Sequence, residues 1–354
     1  MSHPGDTAAT PLVSVVMPVF NGERFLTLAI DSILAQTYTN FEFVIVDDGS
    51  IDATPEILDH HQARDRRIRL HRHPRNLGLT AALNQGVQMA AGSLVARMDA
   101  DDISLPQRFA RQVTYLSEHP DVAVVGSWVR RMDEQGQARG LQMLPTQPAL
   151  VAWSMLFCNS LAHPSVMMRR EAITGEGPYS AEYPHSEDYE LFMRLSQTRR
   201  LANIGEPLLL YRHWGGSVTR DQKHLYHSMR VLRDASAAFG VPISDEQAVA
   251  MLGLSRDIYP SAVSMIRALG DLIVRLRERY VSQIARNGAD RALIDADAGV
   301  KLWLLAALAV RRSPALAASL GMSAMRIAPW SAVSFAAKAG SRAGGILRGG
   351  ARNA

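Results

Sequence analysis

The sequence predicts an α/β protein, a mainly parallel sheet with flanking helices followed by a mostly helical C-terminal region. Two observations carry this. From Leu12 onward, short β-branched runs alternate with longer stretches whose apolar residues recur every three or four positions. From about Ser217 the strand signal fades and helical spacing dominates.

The first run is Val13-Ser14-Val15-Val16-Met17. Four more follow, at 41–46, 68–71, 93–98 and 122–125, each bounded by Gly, Pro, Asn or Asp. Between them, 23–36, 54–64 and 79–91 each carry one apolar face, as helices covering a parallel sheet must. In the C-terminal region, 224–239, 259–286 and 290–310 read as helices. The organisation expected is a disordered N-terminus over 1–11, an α/β domain over 12–220, a helical region over 221–338 and a flexible basic tail over 339–354.

With 354 residues, 47% of them hydrophobic and 20% charged, the chain has the composition of a folded protein and excludes disorder or a fibrous repeat. The single cysteine, Cys158, can form no internal disulfide and reads as a small buried hydrophobe. The N-terminus lacks the charged-then-apolar plan of a secretory signal, which points to a cytoplasmic address. The longest apolar run of the C-terminal region, Leu302 to Val310, is nine residues, too short to cross a bilayer.

After Asp297 there is no acid and there are eight basic residues, which leaves −4 for the remainder of a chain whose net charge is +4. The basic character therefore belongs to the tail, and a nucleic-acid-binding body is not implied. With Trp303, Trp330 and Phe335 among Ala and Leu, that tail suits an anionic membrane surface, and equally an ordinary helical appendix with a solvated charged end.

Ligands of parallel α/β sheets bind beyond the carboxyl ends of the strands, and here those ends are acidic. The second strand ends in Asp47-Asp48-Gly49-Ser50 and the fourth in Asp99-Ala100-Asp101-Asp102. Five carboxylates on one rim would repel one another, so a bound divalent cation, Mg or Mn, is the economical explanation. Each motif taken alone also suits a turn or a helix cap. An EF-hand is excluded because Ser104 and Ala110 occupy its glycine and glutamate positions, and neither a dinucleotide fingerprint nor a phosphate-loop lysine is present.

These residues resemble a known family. Val15-Val16-Met17-Pro18-Val19-Phe20-Asn21-Gly22, Ser32 to Tyr38, Val46-Asp47-Asp48-Gly49-Ser50, Asn76-Leu77-Gly78, Asp99-Ala100-Asp101-Asp102 and Glu187-Asp188 occur in the order seen in family 2 glycosyltransferases, inverting enzymes of the GT-A fold that use nucleotide sugars. The resemblance runs from Leu12 to about Thr219.

It implies a nucleotide sugar held by Pro18, Phe20, Asn21, Asp48, Asn76, Asp99, Ala100 and Asp101, with Asp48 reading the base. It puts a divalent metal on Asp101 and Asp102, with the inner ligand ambiguous between them, and makes Asp188 the general base, beside Glu187 at the start of an amphipathic helix. The segment His163 to Arg170 resembles a strand on the acceptor side, with His163 near acceptor or diphosphate, and Leu210 to Thr219 resembles a loop closing over the donor. In that loop Trp214 stands where the family commonly has a histidine, which leaves Arg212 and His213 as diphosphate contacts.

For a chain of this size the resemblance implies transfer from a UDP- or dTDP-sugar to a glycan or polyprenyl-linked acceptor in polysaccharide or lipopolysaccharide synthesis. A nucleotidyltransferase would share the sheet and the acid pair, but no early glycine-rich triphosphate loop is found. A non-catalytic, membrane-associated assembly subunit is the remaining alternative, against which the retained acids argue.

Overall fold

The computed structural model describes residues 10–214 and 222–337. The chain divides into two compact units, one of residues up to Met155 together with Asn159–Ser228, the other of Leu156–Cys158 together with the chain from Met229.

The first unit begins with β1 (Val13–Val19), α1 (Leu26–Leu34), β2 (Phe41–Asp47), α2 (Thr54–Arg64), β3 (Ile68–Arg72), α3 (Leu79–Met89) and β4 (Leu94–Arg97). These are the alternating elements expected, and they make a parallel half-sheet in the order β3-β2-β1-β4. Alternation along β2 places Phe43 and Ile45 on one face, in a core with Leu26, Ile30 and Ile33 of α1, and Val44 and Val46 on the other, against Ala82 of α3. The α3 helix comes close because residue 86 is glycine: a Cβ there would lie 2.4 Å from Val16 Cγ1. Pro18 sits in β1 beyond Val13–Val16, the residues that β4 pairs, so it interrupts no rung on that side.

The sheet continues through β5 (Ile103–Ser104), α4 (Arg108–Glu118), β6 (Val122–Met132), β7 (Ala138–Gln142), α5 (Pro148–Ser154), β8 (Met167–Arg169), α6 (Arg170–Glu176), α7 (Glu187–Thr198) and β9 (Arg200–Arg212). From β4 the order runs β8-β6-β9-β5, with β7 paired to β6. This half is mixed, since β8 is antiparallel to both β4 and β6, whereas β9 is parallel to β6. The segment expected as a strand over 163–170 opens instead as a 3-10 turn at His163–Ser165, and only Met167–Arg169 is extended.

The 13-residue β9 is not evident from sequence because Gly205-Glu206-Pro207 interrupts its apolar pattern. The register against β6 shifts at that point, from Ser127↔Ile204 to Trp128↔Pro207, so the bulge absorbs Gly205 and Glu206 while Pro207 stays paired.

Helix α8 (Gln222–Ala238) begins in the first unit and ends in the second, which continues with α9 (Asp245–Leu254), α10 (Val263–Gln283), α11 (Gly288–Ala309) and α12 (Pro314–Ile327). Ser244, Asn287 and Ser313 cap the last N–H groups at the starts of α9, α11 and α12. Cys158 is half-buried, and burial pushes its thiol up, in keeping with a packing residue.

Of the expected disordered N-terminus, Thr10 and Pro11 are described and anchored: their carbonyls accept from Asn40 Nδ2 and the Tyr38 hydroxyl. Residues 1–9, 215–221 and 338–354, which include the expected basic tail over 339–354, lie outside the described residues.

Candidate active site

The fourth strand delivers the acids. Asp99, Asp101 and Asp102 each offer an oxygen, and these oxygens lie within 4.8 Å of one another. Burial and then the charge of Asp99 push Asp101 up to about 6, and the same causes, with Asp101 added, hold Asp102 well above the usual carboxylate range. No acid here caps a helix, since α4 starts at Arg108 behind Gln107 and β5 intervenes.

The loop after β9 closes on this cluster. Arg212 N–H donates to Asp102 Oδ1 at 2.8 Å, and the Trp214 indole N–H donates to Asp101 Oδ2 at 2.8 Å. Asp102 Oδ2 is buried with no partner. Three crowded carboxylates, one with an orphaned oxygen, fit a hard divalent cation.

Arg212 is not placed as a diphosphate contact. Its guanidinium donates to the carbonyls of Asp101, Asp133 and Glu134 at 2.8, 3.2 and 3.1 Å, and it stacks 4.2 Å from the Phe25 ring centroid. His213 is exposed, edge-on to Tyr211, with its N–H on Met132 O, and it is not in the acid cluster.

The acids after β2 do not join the crowd either, which corrects the expectation of five mutually repelling carboxylates. Asp47 Oδ1 accepts Ser50 N–H at 3.0 Å and closes the turn. Asp48 Oδ1 meets His73 Nδ1 at 2.6 Å and Leu77 N–H at 2.9 Å, while Oδ2 accepts Gly78 N–H at 2.8 Å. Gly49, with φ +75°, makes the approach possible, because a Cβ there would sit 2.4 Å from the Arg75 carbonyl carbon. Asn21, itself left-handed with φ 49°, locks the β1 loop to this turn through Ser50 Oγ and Ile51 N–H. Phe20 and Asn76 are exposed on these loops, and Ala100 is half-buried.

Glu187 and Asp188 open α7 behind the N-cap Ser186, which follows His185 in the left-handed region, with φ 64°. Burial, followed by the charge of Asp188, pushes Glu187 up to about 7, and enclosure of its carboxyl holds Asp188 above the usual range. Asp188 Oδ2 accepts from the Asn159 carboxamide at 2.9 Å and Oδ1 from Tyr189 N–H at 2.8 Å.

Between the two acid groups stands Arg97, the last residue of β4. It is buried, ion-paired to Asp99, and its charge draws down the proton affinities of Asp101, Asp102, Glu187 and Asp188. His163 Nε2 lies 2.9 Å from the Tyr179 hydroxyl, and burial followed by the charge of Arg97 keeps His163 neutral. Asn84 of α3 holds the Tyr179 backbone through both its N–H and its carbonyl.

Comparison with known proteins decides the family. The profile of Glycosyl transferase family 2 matches residues 14–174. An uncharacterized glycosyltransferase of Haemophilus influenzae is 33% identical over 60% of this chain and 69% of its own length. The O-antigen biosynthesis glycosyltransferase WbnJ of Escherichia coli is 32% identical over 57% of this chain and 79% of its own. The chain belongs to glycosyltransferase family 2.

The fold of this glycosyltransferase is also that of the Staphylococcus aureus TarS 1–349 crystal structure, which covers 91% of each chain with a TM-score of 0.54 at 16% identity. The amylovoran biosynthesis glycosyltransferase AmsE of Erwinia amylovora, 31% identical, matches 57% of this chain and 76% of its own.

Sequence reasoning missed Arg97, Asn159, His73 and Tyr179 in this glycosyltransferase. Arg97 had a legible signal, a cation ending the apolar run Leu94-Val95-Ala96 just before the acids. Asn159 and Tyr179 had none, because the partners they meet, Asp188 and His163, lie 29 and 16 residues away in sequence.

Proposed function

We propose that this glycosyltransferase moves a sugar, with inversion, from a UDP- or dTDP-sugar to a glycan or polyprenyl-linked acceptor in polysaccharide or lipopolysaccharide assembly. The observation that carries the reading is the pairing of two chemically distinct acid sites. One is the crowded set Asp99, Asp101 and Asp102; the other is Asp188, outside that set and aimed by Asn159.

Asp101 and Asp102, with Asp99 beside them, would hold Mg or Mn, which when bound would supply positive charge to offset that of a leaving nucleoside diphosphate. Asp188 takes the proton from the acceptor hydroxyl as that oxygen attacks the anomeric carbon from the face opposite the leaving group. Its raised proton affinity makes it a stronger base than an exposed aspartate. Arg212 and Trp214 bring the chain after β9 onto the acids and help hold them in place.

Asp48 supports the choice of base. A carboxylate offers about four acceptor positions. His73, Leu77 and Gly78 occupy three, which leaves one on Oδ2 for a single imide N–H, as uracil and thymine present. Guanine would bring two adjacent donors.

The reading extends to location, on the cytoplasmic face of a membrane. No helix among the described residues is long and apolar enough to cross one. In α12 and the turn and short helical stretch after it, Met322, Met325, Trp330 and Val333 are exposed, as is Arg326.

The test is release of nucleoside diphosphate from a panel of nucleotide sugars with Mn, with Mg and with chelator, comparing the wild type with Asp188→Asn. Metal-dependent turnover of one donor, lost in Asp188→Asn while the donor still binds, is expected. Full transfer by Asp188→Asn removes the base assignment, and metal-independent transfer removes the cation.

A further inference from the structure

Arg97 is buried, yet only one of its three guanidinium nitrogens is satisfied by a side chain: Nη2 pairs with Asp99, while Nε and Nη1 have no hydrogen-bond partner. Buried arginine donors are ordinarily bonded, and orphaned ones are costly unless something else arrives to meet them.

A second orphan belongs to the same site. Glu187 Oε2 is buried without a partner, and Arg97 and Glu187 lie within electrostatic reach but make no ion pair. The unmet groups are of opposite kinds, N–H donors on one side and a carboxylate acceptor on the other.

The backbone holds both in place. Arg97 N–H donates to Val166 O at 3.0 Å, and its carbonyl accepts from buried Arg108 at 2.6 Å. Glu187 is carried by the first turn of α7, whose preceding Ser186 bonds Ser228 Oγ at 3.0 Å. The nearby Tyr179 hydroxyl is already engaged with His163.

The chemistry that satisfies both orphans is a hydroxyl, which accepts from Arg97 and donates to Glu187. A phosphate would accept from Arg97 but would face the carboxylates of Asp99, Glu187 and Asp188, all sensed at this corner. We propose that Arg97 and Glu187 form the subsite that recognises hydroxyl groups of the donor's sugar ring, leaving the diphosphate to the Asp101 and Asp102 side. This rests on the nucleotide-sugar reading above and assigns sugar selection to residues that reach the ring rather than the nucleotide.

Calorimetric binding to the full chain, with Mn present, tests it. The probes are UDP, dTDP, a panel of their hexose and N-acetylhexosamine conjugates, and ring-deoxy forms of the preferred one. For Arg97→Lys and Glu187→Gln, free nucleoside diphosphate should bind within about twofold of the wild type, while the preferred nucleotide sugar binds about tenfold or more weakly. One deoxy donor should bind the wild type weakly and lose nothing further in the variants.

Equal weakening of diphosphate and nucleotide sugar would overturn the subsite, showing that Arg97 only holds Asp99. Unchanged sugar affinity in Glu187→Gln would overturn it too, and that near-isosteric change remains informative if Arg97→Lys does not fold. A wild type that binds nucleoside diphosphate and nucleotide sugar alike, with no gain from the sugar, removes the subsite alone. A wild type that binds neither removes the donor reading and the subsite with it.

Discussion

The Asn159 carboxamide donates to Asp188 Oδ2 at 2.9 Å, and Asn159 Oδ1 is itself fixed by Leu161 N–H at 3.2 Å. The amide is thus oriented from one side and presents its N–H₂ group to the carboxylate on the other. With Tyr189 N–H on Oδ1, both oxygens of Asp188 are steered while each keeps a free lone pair for a proton.

Asn159 is a positioning residue for transfer. Asn159→Ala should lower kcat by about 10- to 100-fold with little change in donor KM, because the lost contact orients the base and touches no donor. Steady-state kinetics with varied donor decide it. A rise in KM at constant kcat would instead make Asn159 part of donor binding.

Trp214 acts on the cation through Asp101. Trp214→Phe keeps an aromatic ring beside Phe25 but removes the N–H on Asp101 Oδ2 together with part of the indole. Outer partners of metal ligands are commonly worth about tenfold or more in affinity, so activation by Mn should need roughly tenfold more metal, with full chelation still abolishing transfer. A metal titration of activity checks this, and an unchanged activation midpoint would leave Trp214 a packing residue.

The acid limb of the pH profile should sit high. Glu187 is pushed up to about 7 and Asp188 is raised, in surroundings that include Arg97, Asp99 and Tyr179, and the adjacent pair titrates together. Asp188 works only as the carboxylate, and a raised pKa means that this form appears only at higher pH. At saturating donor and metal, kcat should therefore climb with pH in a range above the ordinary aspartate value and be lost as pH falls through that range. A limb centred near the ordinary aspartate value would place the rate-determining proton elsewhere.

Gly86 sets the distance between α3 and β1. Gly86→Ala puts a methyl group 2.4 Å from Val16 Cγ1, against a strand that cannot yield without moving its neighbours β2 and β4. Overpacking of this kind costs about 1–3 kcal/mol, to be read as a lowered unfolding midpoint in urea at unchanged slope.

Membrane association should depend on α12 and the turn after it. Trp330 is 81% exposed, and Trp330→Ser should cut sedimentation with vesicles rich in anionic lipid while leaving the folded state intact. Equal sedimentation of wild type and variant, or equal binding to neutral vesicles, would count against the surface.

The local signals were strong where a residue's neighbours in the chain are also its neighbours in space. Short β-branched runs and helical spacing revealed β1 to β4 and the helices between them, because buried parallel strands are apolar throughout and each covering helix buries one face. The acid motifs were legible for a related reason: strand ends in a parallel sheet all point to one rim, so Asp99 to Asp102 had to lie there. Glu187 and Asp188 could be read as opening a helix, and that helix does begin at Glu187.

Other features depended on segments far apart in sequence. β9 carries Gly205 and Pro207, and only its shifted pairing with β6 makes it a strand. Asp47 and Asp48 look alike in the sequence, yet a turn N–H satisfies one and His73 the other, so neither joins the metal-like cluster. Arg212 looks like a phosphate ligand until three backbone carbonyls are found around it. The sequence by itself determined the family, the parallel half-sheet and the acidic rim. The tertiary structure alone decided which acids crowd, which are already satisfied, and that Asn159 meets Asp188, because hydrogen-bond partners 25 or more residues apart are chosen by packing and leave no local pattern in the chain.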